Sequence, residues 1–350
     1  MIQTGFKQEY IEKLVRDWLF TGEYGIGDTL PGDKVLAKTL GVNHLTVAKA
    51  LRPLIEEGLL ERIPRRGTLV RKNLLPVTTN AVGLVMHSQD QFYSDMVSEI
   101  NHLLNGYGLF PSLINEALVE NTTAIGHFLD RMVGKTRPYG YLVLGDMNFS
   151  YDKFRNEPNK FQNTVFLLRY QAEELIPNCK YVLIDYKDIG RQAVKYFAKL
   201  GIKKILYPAL KENEWKGVWA SLQLQVMQGI REEAEKYNIF FDEQFFWKTF
   251  DGSELNQQLA ITVQKTEPPF GIFTWSDSYF CVTVKPVLDE LGITPEKYQV
   301  LGNFNTFHSI ENNFSSFDMR INEICKIAVD MLVGNTDERN IILKAKLIER

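Results

Sequence analysis

The stretch TGEYGIGDTLPGDKVLAKTLGVNHLTVAKALRPLIEEGLLERIPRRGTLV, from Thr21 to Val70, sets the fold of the first part of this chain. Gly22, Gly25 and Gly27 break whatever helix precedes it, and Pro31-Gly32-Asp33 opens a short helix running to Leu40, where Gly41 ends it. Asn43 is placed to cap the next helix, because its side-chain oxygen can accept from an orphan N–H of the first turn. Val47, Ala50, Leu51, Leu54 and Ile55 give that helix one apolar face, and Gly58 stops it. Leu59–Ile63 and Thr68–Arg71 then flank Pro64-Arg65-Arg66-Gly67, which predicts a hairpin with a basic tip. Upstream, Ile11, Leu14, Val15, Trp18 and Leu19 recur at spacings of three and four, so residues 7–20 are expected to form an amphipathic helix.

Helix, turn, helix and basic wing is the layout of a winged helix-turn-helix, whose third helix fits the major groove of DNA. Charge agrees: residues 1–75 carry 12 Lys/Arg against 9 Asp/Glu, whereas the rest of the chain carries 28 against 34. A basic head on an acidic body suits nucleic-acid contact through the head alone. The stretch resembles the DNA-binding domain of the GntR family, with its G-x-Y-x-x-G-x-x-L-P, L-A, G-V-x-x-x-T-V-x-x-A-L, E-G-L and basic-G-T elements in order. By that resemblance, double-stranded operator DNA is met by Lys34, by Asn43, His44, Thr46 and Lys49 at the start of the recognition helix, and by Arg65, Arg66, Gly67 and Thr68 in the wing. The family often has Arg where this chain has His44 and a basic residue where it has Ala48, so the usual guanine contact is in doubt.

After a linker over residues 73–80, strands and helices alternate. Expected strands include Ala81–Met86, Leu109–Ile114, Tyr139–Leu144, Val165–Leu168, Tyr181–Ile184, Lys204–Tyr207, Gly271–Thr274 and Gln299–Leu301; the longer helices are Tyr93–Leu104, Gly190–Leu200, Leu222–Tyr237, Tyr279–Leu291 and Ile321–Val333. That rhythm predicts an α/β domain over 81–350 built on parallel sheets, with two subdomains and a ligand cleft at the strand ends. AVGLVMHSQDQFYSDMVSEI, YGYLVLGD, YVLIDYKDIGRQAVKYFAKLGIKKI, FGIFTWSDSYF, YQVLGNF and ILKAKLIER, in that order, resemble the LacI/GalR-type, periplasmic-binding-protein-like sensor. A GntR head fused to such a sensor is the arrangement of arabinose-repressor-like regulators. The resemblance implies crossings between subdomains near 170–178 and 303–308, a homodimer, and a sugar or sugar-derivative effector that controls operator affinity.

The groups expected at the effector are Asp90, Phe92 and Tyr93 after the first strand, Asp146 after the third, Arg169 after TVFLL, Gln225, Phe250, Trp275 and Asp277 after GIFT, and Asn305 after VLGNF. Carboxylates and amides accept paired hydroxyls and aromatic rings cover a sugar's apolar face. Arg169 at a strand end where the family commonly has Asp suggests an acidic or phosphorylated sugar, since guanidinium takes carboxylate in a forked geometry; a neutral deoxy-sugar is the competing expectation. Neither G-x-G-x-x-G after a strand nor G-x-x-x-x-G-K-(S/T), H-E-x-x-H or G-x-S-x-G occurs, so an enzyme is not expected. Cys179, Cys281 and Cys325 lack metal-ligand spacing, and no cofactor or metal is predicted. No apolar run reaches membrane-spanning length and charges interrupt the first 20 residues, which predicts a cytoplasmic protein.

Overall fold

The computed structural model describes residues 4–21, 23–64, 66–72, 77–86, 91–115, 136–144, 152–156, 161, 163–170, 175–210, 218–242, 246–247 and 253–350. These fall into two compact units: those within Met1–Ala81, Thr123–Gly140 and Lys153–Gln162, and those within Val82–Thr122, Tyr141–Asp152 and Asn163–Arg350.

The first unit contains the head. Its helices are α1 (Thr4–Thr21), α2 (Asp33–Leu40) and α3 (His44–Glu56), and its strands are β1 (Thr29–Leu30), β2 (Leu60–Ile63) and β3 (Gly67–Val70). The strands form an antiparallel sheet in the order β1-β3-β2, with Ile63 opposite Gly67 at the wing's turn. Ile11, Val15 and Leu19 line one face of α1 and meet Leu36 of α2 and Val47, Leu51 and Leu54 of α3 in a single buried cluster. Two helix boundaries fall where the sequence puts them: Gly41 ends α2 in the left-handed conformation and returns its N–H to Ala37, and Asn43 caps the start of α3. Of the expected linker, residues 73–76 lie outside the described residues, while Val77–Thr78 is a short strand beside Thr136–Arg137.

The second unit carries two six-stranded sheets. The first runs in the order Asn340–Leu343, Lys180–Ile184, Thr164–Leu168, Gly140–Val143, Ala81–Met86, Phe110–Asn115. The second runs Phe240–Asp242, Lys204–Leu206, Phe270–Phe273, Tyr298–Asn303, Ser315–Asp318, Lys346–Ile348. Within the second sheet the first five strands are parallel, and Lys346–Ile348 closes the edge antiparallel to Ser315–Asp318. Strand Phe270–Phe273 is buried on both faces. Phe270 and Ile272 join Leu259, Val263, Val284 and Leu288 from one helix layer, and Gly271 leaves room for Phe197 of the other.

That other layer is the helix pair Tyr186–Lys199 and Val218–Tyr237. A Cβ added at Gly190 would lie 2.1 Å from the Val226 carbonyl oxygen, and one at Gly229 would lie 2.0 Å from that of Lys187. Two glycines thus allow backbone to touch backbone. The expected helix Tyr279–Leu291 is observed as Asp277–Glu290, widened into a π-turn over Phe280–Val284.

Among the described residues the chain crosses between the sheets after Ile184, after Asp318 and after Leu343, rather than near 170–178 and 303–308 as expected. Strand Lys180–Ile184 pairs with Thr164–Leu168 on one side and Asn340–Leu343 on the other, so it is part of the first sheet and the crossing follows Ile184. The return comes after Asp318, because helix Ile321–Val333 packs on Gln91–Asn105 and on strands Thr164–Leu168 and Lys180–Ile184. The third crossing falls between Leu343 and Lys346, where the single closing strand read in ILKAKLIER is divided between the two sheets. Apolar runs announce a strand, but not the sheet it joins.

Candidate functional site

The exposed face of the head at the start of α3 and at the wing is built by capping and by charge left over from internal pairing. The Leu45 N–H donates to Asn43 Oδ1 at 2.9 Å, fixing where α3 starts. Four of the head's arginines are committed to carboxylates: Arg16 to Glu57 at 2.5 Å, Arg52 to Glu56 at 2.8 Å, Arg62 to Asp33 at 2.6 Å, and Arg71 to Glu61. Lys34 at the start of α2, Lys49 on α3 and Arg66 on the wing are exposed and hold no ion pair among the described residues. His44 and Asn43 are exposed as well, and Gly67 has φ +97° at the wing's tip. Thr46 and Thr68 point inward, 8% and 6% exposed, and Arg65 lies outside the described residues. Leu45, passed over in the sequence, is exposed.

In the second unit a cavity of about 510 Å³ opens where the two subdomains meet. Phe92, at the start of helix Gln91–Asn105, packs its ring 4.5 Å from that of Phe304, which follows strand Tyr298–Asn303 of the other sheet. Trp275 stands edge-on to Phe304 at 6.3 Å. Asn305, Thr306 and Phe307 continue the wall on one side, and Asp95 stands opposite on the Phe92 helix. Asp318, Arg320 and Glu323, at the second crossing, complete it.

Asp277 organises this wall from behind. Its carboxylate is buried; Oδ2 accepts from the Thr306 N–H at 2.6 Å and from Thr306 Oγ1 at 3.1 Å, and Oδ1 accepts from Ser316 Oγ at 2.7 Å. Burial pushes its pKa up, against the pull of these hydrogen bonds. A Cβ on Gly302 would stand 2.0 Å from Asp277 Oδ1, so the glycine is what admits the carboxylate. Phe304 and Asn305 then take positive φ, 86° and 47°. The Asn305 N–H donates to Ser316 Oγ at 3.0 Å, and Asn305 Oδ1 accepts from Arg350 Nη2 at 2.6 Å. Asp277 therefore positions Asn305 and Thr306, which line the cavity.

Arg169 directly follows strand Thr164–Leu168 and is buried. It is 1% exposed and is not among the residues lining this cavity; Nη2 donates to Tyr93 Oη at 3.0 Å, with the guanidinium 5.5 Å from the Tyr93 ring centre. Burial raises the pKa of neighbouring Tyr186, an effect the Arg169 charge opposes. Just before it, Leu168 has φ +67° while the Arg169 N–H donates to the Leu167 carbonyl at 2.8 Å, a γ-turn of the strained positive-φ kind. Gln225 is half-buried on helix Val218–Tyr237, away from the cavity's lining. Asp90, Asp146 and Phe250 lie outside the described residues.

A family model described as "Bacterial regulatory proteins, gntR family" matches residues 7–70. Those residues are a gntR-family head. Over 58 residues it is 40% identical to the mannosyl-D-glycerate transport/metabolism system repressor MngR of Escherichia coli (strain K12), a stretch that is 17% of this chain and 24% of that protein. The chain thus covers about a quarter of that relative's length. The remainder follows another fold. The structure of a transcriptional regulator CelR–cellobiose complex matches 92% of this chain and 99% of that chain, with a TM-score of 0.63 and 19% identity. A periplasmic binding protein/LacI transcriptional regulator from Alkaliphilus metalliredigens QYMF, complexed with D-xylulofuranose, matches 78% and 98%, with a TM-score of 0.59 and 19% identity.

Residues 7–70 thus match the gntR family model, and they precede a two-sheet domain of the fold seen in LacI-type regulators. Leu45 carries no signal in the sequence, because an exposed leucine on α3 offers neither donor nor acceptor. Sequence reasoning also missed Asp95, Asp318, Arg320 and Glu323, which no strand-end signal marks. Among the described residues no helix is long and apolar enough to cross a membrane, and no group of three or more His, Cys, Asp or Glu is arranged to hold a metal ion.

Proposed function

We propose that the gntR head reads a near-palindromic operator as a homodimer, and that a neutral sugar or sugar derivative, bound where the two subdomains meet, sets its affinity. The observation that carries this is the Phe92–Phe304 contact beside the cavity, because the two rings belong to different subdomains and the crossing at Asp318–Arg320 forms part of the same wall. A ligand there touches both subdomains and a connection between them, and so has different affinities for different relative placements. Differential affinity is the thermodynamic requirement for control, and the coupling to DNA is reciprocal. Among the described lining residues, three carboxylates, Asp95, Asp318 and Glu323, stand against one cation, Arg320; that balance favours hydroxyls over an acidic group, and the phenylalanines suit the apolar face of a sugar ring. Phe92, Tyr93, Arg169, Gln225, Trp275, Asp277 and Asn305, with Asp90, Asp146 and Phe250, remain the proposed effector set, with Arg169 and Asp277 acting through the residues they hold. On DNA, Lys34, Lys49, Arg65 and Arg66 are assigned to phosphates, Asn43 and His44 to the groove, and Thr46, Gly67 and Thr68 to shaping the helix and wing that enter it.

A thermal-shift screen of monosaccharides, sugar acids and sugar phosphates tests the reading, since a ligand that binds only the folded state raises the melting temperature. Neutral sugars are expected to be the hits, and the same sugars should change operator affinity. Hits confined to sugar acids or phosphates would return the effector to Arg169. A flat screen would make the domain a dimerisation platform, or the receptor of a small molecule that is not a sugar.

A further inference from the structure

The start of α3 turns a leucine outward where polar contacts to bases are expected. Leu45 is 59% exposed, whereas its neighbour Thr46 is buried in the head. On a helix, residues three and four apart share a face, so Leu45, Ala48, Lys49 and Arg52 lie along one side. Arg52, the guanidinium on that side, is paired with Glu56 at 2.8 Å. What remains towards the N-terminal end is two apolar groups and one cation. An exposed leucine by itself is ordinary on a protein surface. This one sits at the end of the helix that reads DNA in a gntR head, close in sequence to exposed basic groups that carry no ion pair among the described residues. The apolar feature that a base pair displays in the major groove is the methyl group of thymine.

We propose that Leu45 reads a thymine methyl in each operator half-site, with Ala48 small enough to let the helix approach that base pair. The proposal rests on the reading of the head as a DNA binder. It also accounts for specificity on a helix that lacks forked donors at His44 and Ala48: sequence is taken from a methyl contact, and Lys49 supplies phosphate attraction without base information.

The test is selection of bound sequences from a random duplex library by the full-length protein, followed by replacement of each enriched thymine by uracil, which removes only the methyl. At one position per half-site, the uracil duplex should bind the unaltered protein about fourfold more weakly, the worth of burying one such group. Leu45→Ala, checked for its fold by circular dichroism, should bind the thymine and uracil duplexes equally. Indifference of the unaltered protein to every thymine-to-uracil change overturns the proposal without needing any variant, as does a Leu45→Ala protein that keeps the preference. Failure to enrich any sequence would instead overturn the reading of the head as a DNA reader, so the two failures are told apart.

Discussion

Replacing Asp277 by alanine tests whether one buried carboxylate holds the wall of the cavity lined by Phe92 and Phe304. The change strands three donors, the Thr306 N–H, the Thr306 hydroxyl and the Ser316 hydroxyl. The hydroxyls can turn to other acceptors, but the backbone N–H is fixed, and a buried donor left unsatisfied costs about 1–3 kcal/mol. Adding the loss of the two hydroxyl bonds, and allowing for the relief of no longer burying a charge, gives a destabilisation of about 3 kcal/mol. For a domain of this size each kcal/mol moves the melting temperature by about 2 °C, so a fall of about 6 °C is expected. Asp277→Asn keeps a carbonyl oxygen for the Thr306 N–H and should lie within about 1 kcal/mol of the natural protein.

The two forms should also part with pH. Burial raises the Asp277 pKa in the folded state above its unfolded value. Its contribution to stability is therefore full below the ordinary aspartate range and is lost as pH rises through the raised folded value. Relative to Asp277→Asn, the natural protein should thus gain stability in acid. Thermal denaturation of the full-length protein across pH reads both effects. Equal melting temperatures for the Ala and Asn variants would refute the argument that this network fixes residues 303–306.

Other outcomes follow from the same geometry. Gly229→Ala drives a Cβ to 2.0 Å from the Lys187 carbonyl oxygen, where only backbone can yield, so a loss of about 3 kcal/mol or more is expected by chemical denaturation. Lys49→Ala should weaken binding to all duplexes alike and lower the slope of log affinity against log salt by about 0.9 for each phosphate the side chain neutralises, measured by fluorescence anisotropy. Phe304→Ala removes the ring that meets Phe92 and Trp275, and should weaken effector affinity at least tenfold by calorimetry while leaving operator affinity in the absence of effector within about threefold.

The head was legible because every signal in it is local. The Asn43 cap, the stop at Gly41 and the spacing of Val47, Leu51 and Leu54 act within one or two turns, and the structure has them as expected. Strands of the larger domain were legible as strands, because apolar runs survive burial on both faces. Their sheets were not. Lys180–Ile184 reads in the sequence as opening the second subdomain, yet its neighbours are residues 164–168 and 340–343, the latter about 160 positions away and unmarked by any local pattern. Strand Ser315–Asp318 escapes the sequence, because its serines belong to the Asp277 and Arg350 networks and break the apolar run. Asp277 looks like a ligand group because it follows a strand. Only its approach to Gly302 shows why the carboxylate turns inward.

The division of residues 340–348 between two sheets has a consequence for how the molecule is made. The head is assembled from one continuous stretch, so its contacts are short in sequence and can form while the rest is still being synthesised. Neither lobe of the larger domain has that freedom. The first sheet waits for Asn340–Leu343 to cover its edge, and the second waits for Lys346–Ile348. A nascent chain therefore carries a finished head ahead of two lobes that each lack a strand until residues 340–348 have left the ribosome.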